Sequence, residues 1–285
     1  MVFEDVVGIY LAEKNHRSRQ RDLYSLKRLQ PHFGGCELTA LKRSYVREYV
    51  ALRRGEGVRD STVQRELRFF SAAINFVRLE HDRLDLPNPV ERLRVGASEP
   101  RVRWISEGEA TELVRAVGLF ARRPHLPNFV LLSFYTGCRK NELLKLEWSR
   151  VDLERGLLRL GAAHTKGGKP RAVPLNDLAL QALRIQRDWV KRYAPQSPWV
   201  FATQAGGRLT TVQKAFQAAC RRSGIDDFRV HDMRHTFASW LVMAGTSLQV
   251  VKELLGHSSV TVTERYAHLA PHVGRAAVQL LLPIS

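Results

Sequence analysis

This 285-residue sequence has few cysteines and no long apolar run, the features typical of disulfide-bonded, zinc-binding and membrane proteins. Its three cysteines, Cys36, Cys138 and Cys220, are far apart and form no CxxC pair. Such a set argues against a disulfide framework or a cysteine-based zinc module and indicates a reducing compartment. No apolar run reaches the ~18 residues of a membrane span, and the N-terminus lacks a signal-peptide pattern. We therefore expect a cytosolic or nucleoid-associated protein with no membrane segment.

Acidic residues are also fewer than basic residues. The chain has 28 of them against 45 Lys and Arg, which gives a formal net charge of +17 and a pI near 10.4. Such an excess predicts a polyanionic partner, either the phosphates of a nucleic acid or an anionic membrane surface. Residues 1–95 carry 18 basic and 13 acidic side chains, and residues 96–285 carry 27 and 15. Because both parts are basic, nucleic acid held between two domains is favoured over binding by a basic tail.

Residues 1–95 show helical patterns throughout, in FEDVVGIYL, LTALKRSYVREYVALRR and STVQRELRFFSAAINFVRLEH. In the third segment Ser61 is placed to cap the helix, with Gln64 three residues further on. Arg65 and Arg68 lie off its apolar positions and form either a solvated face or a DNA-binding face. The apolar positions recur at helical spacing and predict one buried stripe: Val63, Leu67, Phe70, Ile74 and Val77.

A stretch with several prolines and a glycine predicts a linker at residues 96–103 and a second domain at residues 104–285. Ser106 and Glu109 form a capping-box pattern near its start. The segment VDLERGLLRLGAAHTKGGKPRAVPL has short β-prone runs, so we expect a small antiparallel sheet with a hairpin at Gly167-Gly168. The segments on either side have helical patterns. The predicted fold class is mainly α with a small antiparallel β-sheet.

The second domain contains residues suited to breaking a DNA phosphodiester without a metal ion. That reaction needs a nucleophile, donors that stabilise the pentacoordinate phosphorane, and an acid for the departing oxygen. A guanidinium binds two phosphate oxygens and keeps its charge. Arg139 follows the Thr136-Gly137 turn at a predicted helix start, where anions are favoured, and Glu142 has the spacing to orient it. Taken alone, each also fits an ordinary surface residue.

Further candidates follow along the chain. Lys166 is either a solvated turn residue or a lysine whose pKa neighbouring cations lower enough for proton transfer. His231 and Arg234 are three residues apart, on one face of a predicted helix. His235 adds an i,i+4 histidine pair with metal-ligand spacing, but HExxH is missing and Arg234 would repel a cation. We therefore expect His235 to pack or hydrogen-bond within the fold.

The segment LGHSSVTVTERYAHL places an imidazole and a phenol nine residues apart. His257 follows Gly256, a residue suited to end a helix, where a histidine is also common for dipole reasons alone. Tyr266 is predicted on a short helix that starts near Ser258 or Thr261. A phenol titrates near ~10, so its attack at neutral pH requires nearby positive charge or a base.

The ordered set resembles one known family, the tyrosine recombinases or phage integrase family. TGCRKNELLKLEW is similar to its first arginine box, HTKGGKPRAVPL to its lysine hairpin, HDMRHTFASWL to its His-x-x-Arg box, and LGHSSVTVTERYAHL to its histidine-plus-tyrosine box. The resemblance covers essentially the whole chain. It implies a helical, SAM-like core-binding domain that binds DNA in residues 1–95 and a tyrosine-recombinase catalytic domain in residues 104–285.

The resemblance also implies a reaction, in which a nucleophile forms a 3′-phosphotyrosine and frees a 5′-hydroxyl. No cofactor is required, neither ATP nor a metal ion. The implied roles are nucleophile for Tyr266, phosphate binding for Arg139, Arg234 and His257, general acid for Lys166, general base or further phosphate contact for His231, and support of Arg139 for Glu142.

The implied partners are double-stranded DNA, a homotetramer that exchanges strands on DNA through a Holliday junction, and accessory DNA-bending proteins. Since the sequence begins with the core-binding helices, we expect no N-terminal arm-binding domain. The apolar segment RAAVQLLLPIS predicts that Val278 to Ile284 dock on a neighbouring protomer or on their own domain. Two other classes of function are open. A type IB topoisomerase, which relaxes DNA, uses similar residues. A DNA-binding regulator without catalysis, or a helix-turn-helix repressor, fits the charge and the helical first domain.

Overall fold

A computed structural model describes residues 1–15, 18–96, 101–119, 124–162 and 170–270. The chain forms two compact units, Met1–Pro100 and Arg101–Ser285, and the division falls within the predicted linker. Two predicted features lie outside the described residues: the hairpin turn with Lys166 and Gly167-Gly168, and the docking segment from Val278 to Ile284.

The first unit is helical, as predicted. The structure has a fourth helix, α2, which the sequence patterns did not separate because only three of its side chains are buried. The apolar stripe of α4 is confirmed, since all five predicted residues are fully buried. The helices are α1 Phe3–Glu13, α2 Arg19–Phe33, α3 Arg43–Gly55 and α4 Asp60–Glu80.

The predicted cap at Ser61 is wrong. Helix α4 begins at Asp60, and the extended residue before it is Arg59, so Ser61 already lies in the first turn. A capping residue has to keep a non-helical backbone, which Ser61 does not have. The side chain of Gln64 has a different partner: its Oε1 accepts a hydrogen bond from the backbone N–H of Val95 at 2.8 Å.

The second unit is also mainly helical, and its core includes the α5–α6, α6–α8 and α6–α10 contacts. The predicted capping box is confirmed: the Ser106 N–H donates to Glu109 at 2.7 Å, and the Glu109 N–H donates to Ser106 Oγ at 3.2 Å. Across the described ranges, no helix is long and apolar enough to cross a membrane. The helices are α5 Glu107–Leu119, α6 His125–Thr136, α7 Lys140–Leu144, α8 Asp177–Tyr193, α9 Gln213–Arg222, α10 Asp232–Met243 and α11 Leu248–Leu255.

The predicted antiparallel sheet is confirmed. Strands β1 Val151–Asp152, β2 Leu157–Leu160 and β3 Arg171–Pro174 pair in the order β1-β2-β3, both pairs antiparallel. In the β2–β3 pair, Leu160 lies opposite Arg171. The segment between β2 and β3 contains Lys166, so the sheet brings the two flanks of the predicted lysine hairpin together.

Gly137 ends α6 in the left-handed conformation, with φ +59°. A Cβ atom at this position would lie 2.9 Å from Leu255 Cδ2 and would overlap the ring of Phe237. Arg139, two residues further on, is the N-cap of α7. The absence of a side chain at Gly137 therefore allows the end of α6 to pack closely against Phe237 of α10 and Leu255 of α11, two residues before Arg139.

We expect Gly137→Ala to lower the free energy of unfolding of the second unit by about 2–4 kcal/mol, because positive-φ strain and overpacking add. Gly206→Ala is the matched control: φ is +79° there, but no atom lies within 4 Å of the added Cβ. It should lose only the strain, about 1–2 kcal/mol. All five tryptophans lie in the second unit. Urea unfolding followed by tryptophan fluorescence therefore measures this unit, and equal losses would contradict the packing argument.

Candidate active site

Arg139 donates two hydrogen bonds to the carboxylate of Glu142 at the start of α7. The Arg139 N–H donates to Glu142 Oε2 at 2.8 Å, and Arg139 Nη1 donates to Oε1 at 2.9 Å. The Glu142 side chain is 3% exposed and that of Arg139 is 23% exposed. The buried carboxylate thus holds one edge of a guanidinium that keeps access to solvent.

Arg171, on β3, is a site residue that the sequence analysis missed. Its Nη2 and Nη1 donate to Glu142 Oε2 at 2.7 Å and Oε1 at 3.2 Å. Although burial favours the neutral carboxyl, the bonds from Arg171 and Arg139 lower the pKa of Glu142. One signal could have found Arg171: strand alternation puts it on the same face as the buried Val173.

Arg234 is the most enclosed cation of the site, at 4% exposure. Its Nη1 donates to the Gly137 carbonyl at 2.7 Å, and its Nη2 donates to the Leu255 carbonyl at 2.6 Å. Burial, and then the charge of Arg139, lower the pKa of Arg234. The guanidinium therefore joins α10 to the C-terminal ends of α6 and α11 and lies close to Arg139.

His257 follows the left-handed Gly256 that ends α11. Its Nδ1 is 2.9 Å from the hydroxyl of Thr263, a residue with no exposed surface. Burial, followed by the charges of Arg234 and Arg139, lowers the pKa of His257 to about 3. When the Thr263 hydroxyl donates to Nδ1, the single ring proton of this neutral imidazole is on Nε2.

Tyr266 is 1% exposed, and its hydroxyl lies 2.5 Å from Nδ1 of His235. Burial raises the pKa of Tyr266 to about 12, against the opposing charges of Arg265 and Arg234. Burial lowers the pKa of His235 to about 4, so this imidazole is neutral. The prediction that His235 hydrogen-bonds within the fold is confirmed, and its partner is the candidate nucleophile.

Tyr266 lies on a short helix, as predicted, and this helix is of the 3₁₀ type. The segment forms two 3₁₀ turns, Val260–Val262 and Glu264–Leu269, and Tyr266 lies in the second. The turns close through i→i+3 bonds, from the Thr263 N–H to the Val260 carbonyl and from the Tyr266 N–H to the Thr263 carbonyl. Thr263 takes part in both turns, and its side-chain hydroxyl contacts His257.

The remaining predicted residues lie at different places. His231 is the exposed N-cap of α10, and its ring centroid is 5.1 Å from that of His235. In the described part of the chain, no three His, Cys, Asp or Glu side chains are grouped to hold a metal ion. Four of the predicted residues form one cluster: Arg139, Glu142, Arg234 and His257. Tyr266 lies close enough for the charge of Arg234 to affect its pKa. Lys166 lies outside the described residues.

In the first unit, Arg65 and Arg68 are both exposed on α4. Arg65 lines a surface groove of about 420 Å³. Residues of α2, α3 and α4 line this groove, among them one acidic residue, Glu66. The other basic residues and one exposed tyrosine in the lining are Arg21, Tyr24, Lys27, Arg28 and Arg53.

Comparison with known proteins assigns the chain to a family. The model of the phage integrase family matches residues 103–272, which contain the whole described cluster. The chain belongs to the phage integrase family. This membership confirms the resemblance seen in the sequence, and it makes the chain a tyrosine recombinase, an enzyme that cleaves and rejoins DNA strands.

Relatives within the family support the assignment over different lengths. Tyrosine recombinase XerC of Xanthomonas campestris is 31% identical over 257 residues, 88% of this chain and 77% of XerC. The integrase of Salmonella phage P22 is 34% identical over 185 residues, 60% of this chain and 45% of that integrase. This chain therefore spans less than half of the P22 protein. The fold is similar to that of the Tn1549 transposon integrase in complex with transposon right end DNA, with a TM-score of 0.78, 19% identity and 99% of both chains covered.

We expect this integrase-family protein to lose stability in mild acid. The pKa values of His235 and His257 are near 4 and 3 in the folded state, against an ordinary value of 6.5. Below pH 6.5 the unfolded chain therefore binds more protons, and the free energy of unfolding decreases as the pH falls towards 4. Between pH 7 and 5.5 the loss is about 1 kcal/mol per histidine.

Urea unfolding with tryptophan fluorescence at pH 7 and 5.5 measures this loss. His257→Gln should reduce the pH-dependent part by about 1 kcal/mol. His268→Gln, at an exposed histidine, is the control and should leave it unchanged. A pH dependence that His257→Gln does not alter would contradict the assignment.

Proposed function

We propose that this chain is a site-specific DNA recombinase that forms a 3′-phosphotyrosine through Tyr266. One observation carries the proposal: two guanidinium groups and a neutral imidazole lie together beside a tyrosine, on three separate segments of one unit. The charges of Arg139 and Arg234 both act on His257, and that of Arg234 acts on Tyr266. Such a cluster of fixed donors suits the phosphorane formed during phosphodiester cleavage.

In the proposed reaction Arg139, Arg234 and His257 bind the non-bridging oxygens of the scissile phosphate. The carbonyl bonds of Arg234 hold its plane, and the contact of His257 with Thr263 leaves Nε2–H to donate. Because these donors are held before DNA arrives, they need little reorganisation during the reaction. The role of Glu142 is to orient Arg139 through their shared hydrogen bonds.

The phenol oxygen of Tyr266 attacks the phosphorus, and the bond from phosphorus to the 5′ oxygen breaks. Lys166 gives its proton to the departing 5′ oxygen, and His231 accepts the phenol proton or adds a phosphate contact. The hydroxyl first has to leave His235, to which it is bonded at 2.5 Å. Rejoining is the reverse attack by a 5′-hydroxyl, so the energy of the broken bond is conserved in the phosphotyrosine.

Double-stranded DNA is the proposed partner of both units. The net charge of +17 and the basic groove that contains Arg65 support it, as does the DNA in the Tn1549 integrase structure. We assign Arg65 and Arg68 to contacts with the DNA backbone. A homotetramer on DNA, a Holliday junction intermediate, accessory DNA-bending proteins and a cytoplasmic, nucleoid-associated location complete the proposal.

The two rival functions differ in simple outcomes. A topoisomerase relaxes supercoiled DNA that contains no paired target sites, whereas a recombinase requires two sites. A DNA-binding regulator without catalysis forms no covalent adduct. The relatives and the solved structure named above are integrases and a recombinase.

We expect wild-type protein to form a covalent adduct with a nicked suicide substrate, seen as a shifted band on a denaturing gel. Tyr266→Phe should abolish the adduct, because the attacking oxygen is removed. Tyr193→Phe, at a tyrosine that is 44% exposed, is the control and should form the adduct normally. An adduct that survives Tyr266→Phe would remove Tyr266 from the reaction.

We expect Arg139→Ala to slow single-turnover cleavage by on the order of a hundredfold. Loss of one donor to the developing charge costs about 3 kcal/mol of transition-state stabilisation. Arg155→Ala removes an exposed arginine from the turn between β1 and β2 and should leave the rate unchanged. Rapid-quench cleavage assays at saturating DNA measure both rates, and a wild-type rate for Arg139→Ala would refute its role.

A further inference from the structure

Arg171 contacts the site, but the proposed reaction gives it no role. It is the first residue of β3, and its side chain is only 8% exposed. Its two terminal nitrogens bind the two oxygens of Glu142, at 2.7 and 3.2 Å. A two-point contact of this kind fixes the plane of a carboxylate, which a contact through one atom does not.

The carboxylate of Glu142 is shared between two arginines. Each of its oxygens accepts one bond from Arg139 and one from Arg171. Arg139 and Glu142 by themselves would form a neutral pair, with little attraction left for a phosphate. With Arg171 included, the group of three keeps one net positive charge. Arg171 therefore both orients the carboxylate and prevents it from neutralising Arg139.

A second contact links Arg171 to the end of α11. Its Nε donates to the Leu254 carbonyl at 3.2 Å, and the adjacent carbonyl of Leu255 accepts from Arg234. At Gly256, φ is +64° and an added Cβ would lie 2.9 Å from Arg171 Cδ. The same side chain thus packs against the residue that precedes His257.

We propose that Arg171 is a positioning residue for strand cleavage. It holds Glu142 so that the guanidinium of Arg139 presents its free edge, with its charge, to the scissile phosphate. The inference rests on the proposed recombinase function. A residue that acts in this way affects the chemical step after DNA is bound, whereas a purely structural residue affects the amount of folded protein.

The first test is Arg171→Lys, which keeps the charge and loses the planar fork. We expect its single-turnover cleavage rate at saturating suicide substrate to fall at least about tenfold, since small misplacements at a reacting centre have effects of this size. The DNA Kd should be unchanged. Arg159→Lys is the matched control on β2: that arginine is 58% exposed and pairs with Asp152 at 2.8 Å. It should cleave at the wild-type rate.

A second variant guards against misfolding. Removing one partner of a buried ion pair is strongly destabilising, whereas removing both charges together is much less so. The double variant Arg171→Met with Glu142→Gln should therefore remain folded by tryptophan fluorescence and still cleave at least about tenfold more slowly. A wild-type rate in this variant or in Arg171→Lys would overturn the inference.

A modified substrate separates two routes of action. When sulfur replaces the scissile 5′ oxygen, the leaving thiolate needs no general acid, because thiols are far more acidic than alcohols. Arg171→Lys should remain slow on this DNA, since the defect lies at Arg139. Recovery of the wild-type rate would instead place Arg171 with the general acid Lys166 and overturn the inference. Absence of any wild-type adduct would tell against the recombinase function itself.

Discussion

One buried guanidinium, that of Arg234, joins the ends of two helices in the second unit. It donates to the carbonyl of Gly137, the C-cap of α6, and to the carbonyl of Leu255, the last residue of α11, where the dipole of the helix is negative. Each helix then turns through a left-handed glycine. Arg139 follows one of these turns, and His257 follows the other. A single cation therefore links the two turns that carry the other proposed phosphate-binding groups, so the packing of this unit and the geometry of its candidate site depend on the same contacts.

The candidate site places several positive charges close together and partly buries them, which costs free energy that a bound anion would offset. Arg139, Arg171 and Arg234 lie around one buried acid, Glu142, and the pKa values of Arg234 and His257 are lowered by burial and by neighbouring cations. Burial is the larger cause of these shifts, and the part that comes from neighbouring cations is repulsion that a bound phosphodiester would relieve. The charge of the whole chain, +17, extends the same preference over its surface.

The sequence predicted those features that depend on local periodicity or on the order of motifs. The α4 stripe, the capping box at Ser106, the antiparallel sheet and the family all followed from such patterns. It failed where tertiary contacts decide. Arg171 is separated from Glu142 by 29 residues, and nothing in either segment shows that they meet. The 3₁₀ winding around Tyr266 and the contact between Thr263 and His257 likewise depend on packing across the site. The side chain of Gln64 satisfies a backbone N–H 31 residues away instead of a cap.

In the proposed reaction, the position of Tyr266 in the free protein keeps its hydroxyl unreactive. A phenol with a pKa of about 12 that is bonded to a neutral His235 is a poor nucleophile, and its 1% exposure keeps water and stray electrophiles away. The same hydroxyl gains acidity when it moves towards Arg139 and Arg234, because nearby cations stabilise the phenolate. The movement of the Tyr266 hydroxyl towards the arginines would then also lower its pKa. In the proposed reaction a phosphate bound by the arginines is the target of that movement, so cleavage would require bound DNA.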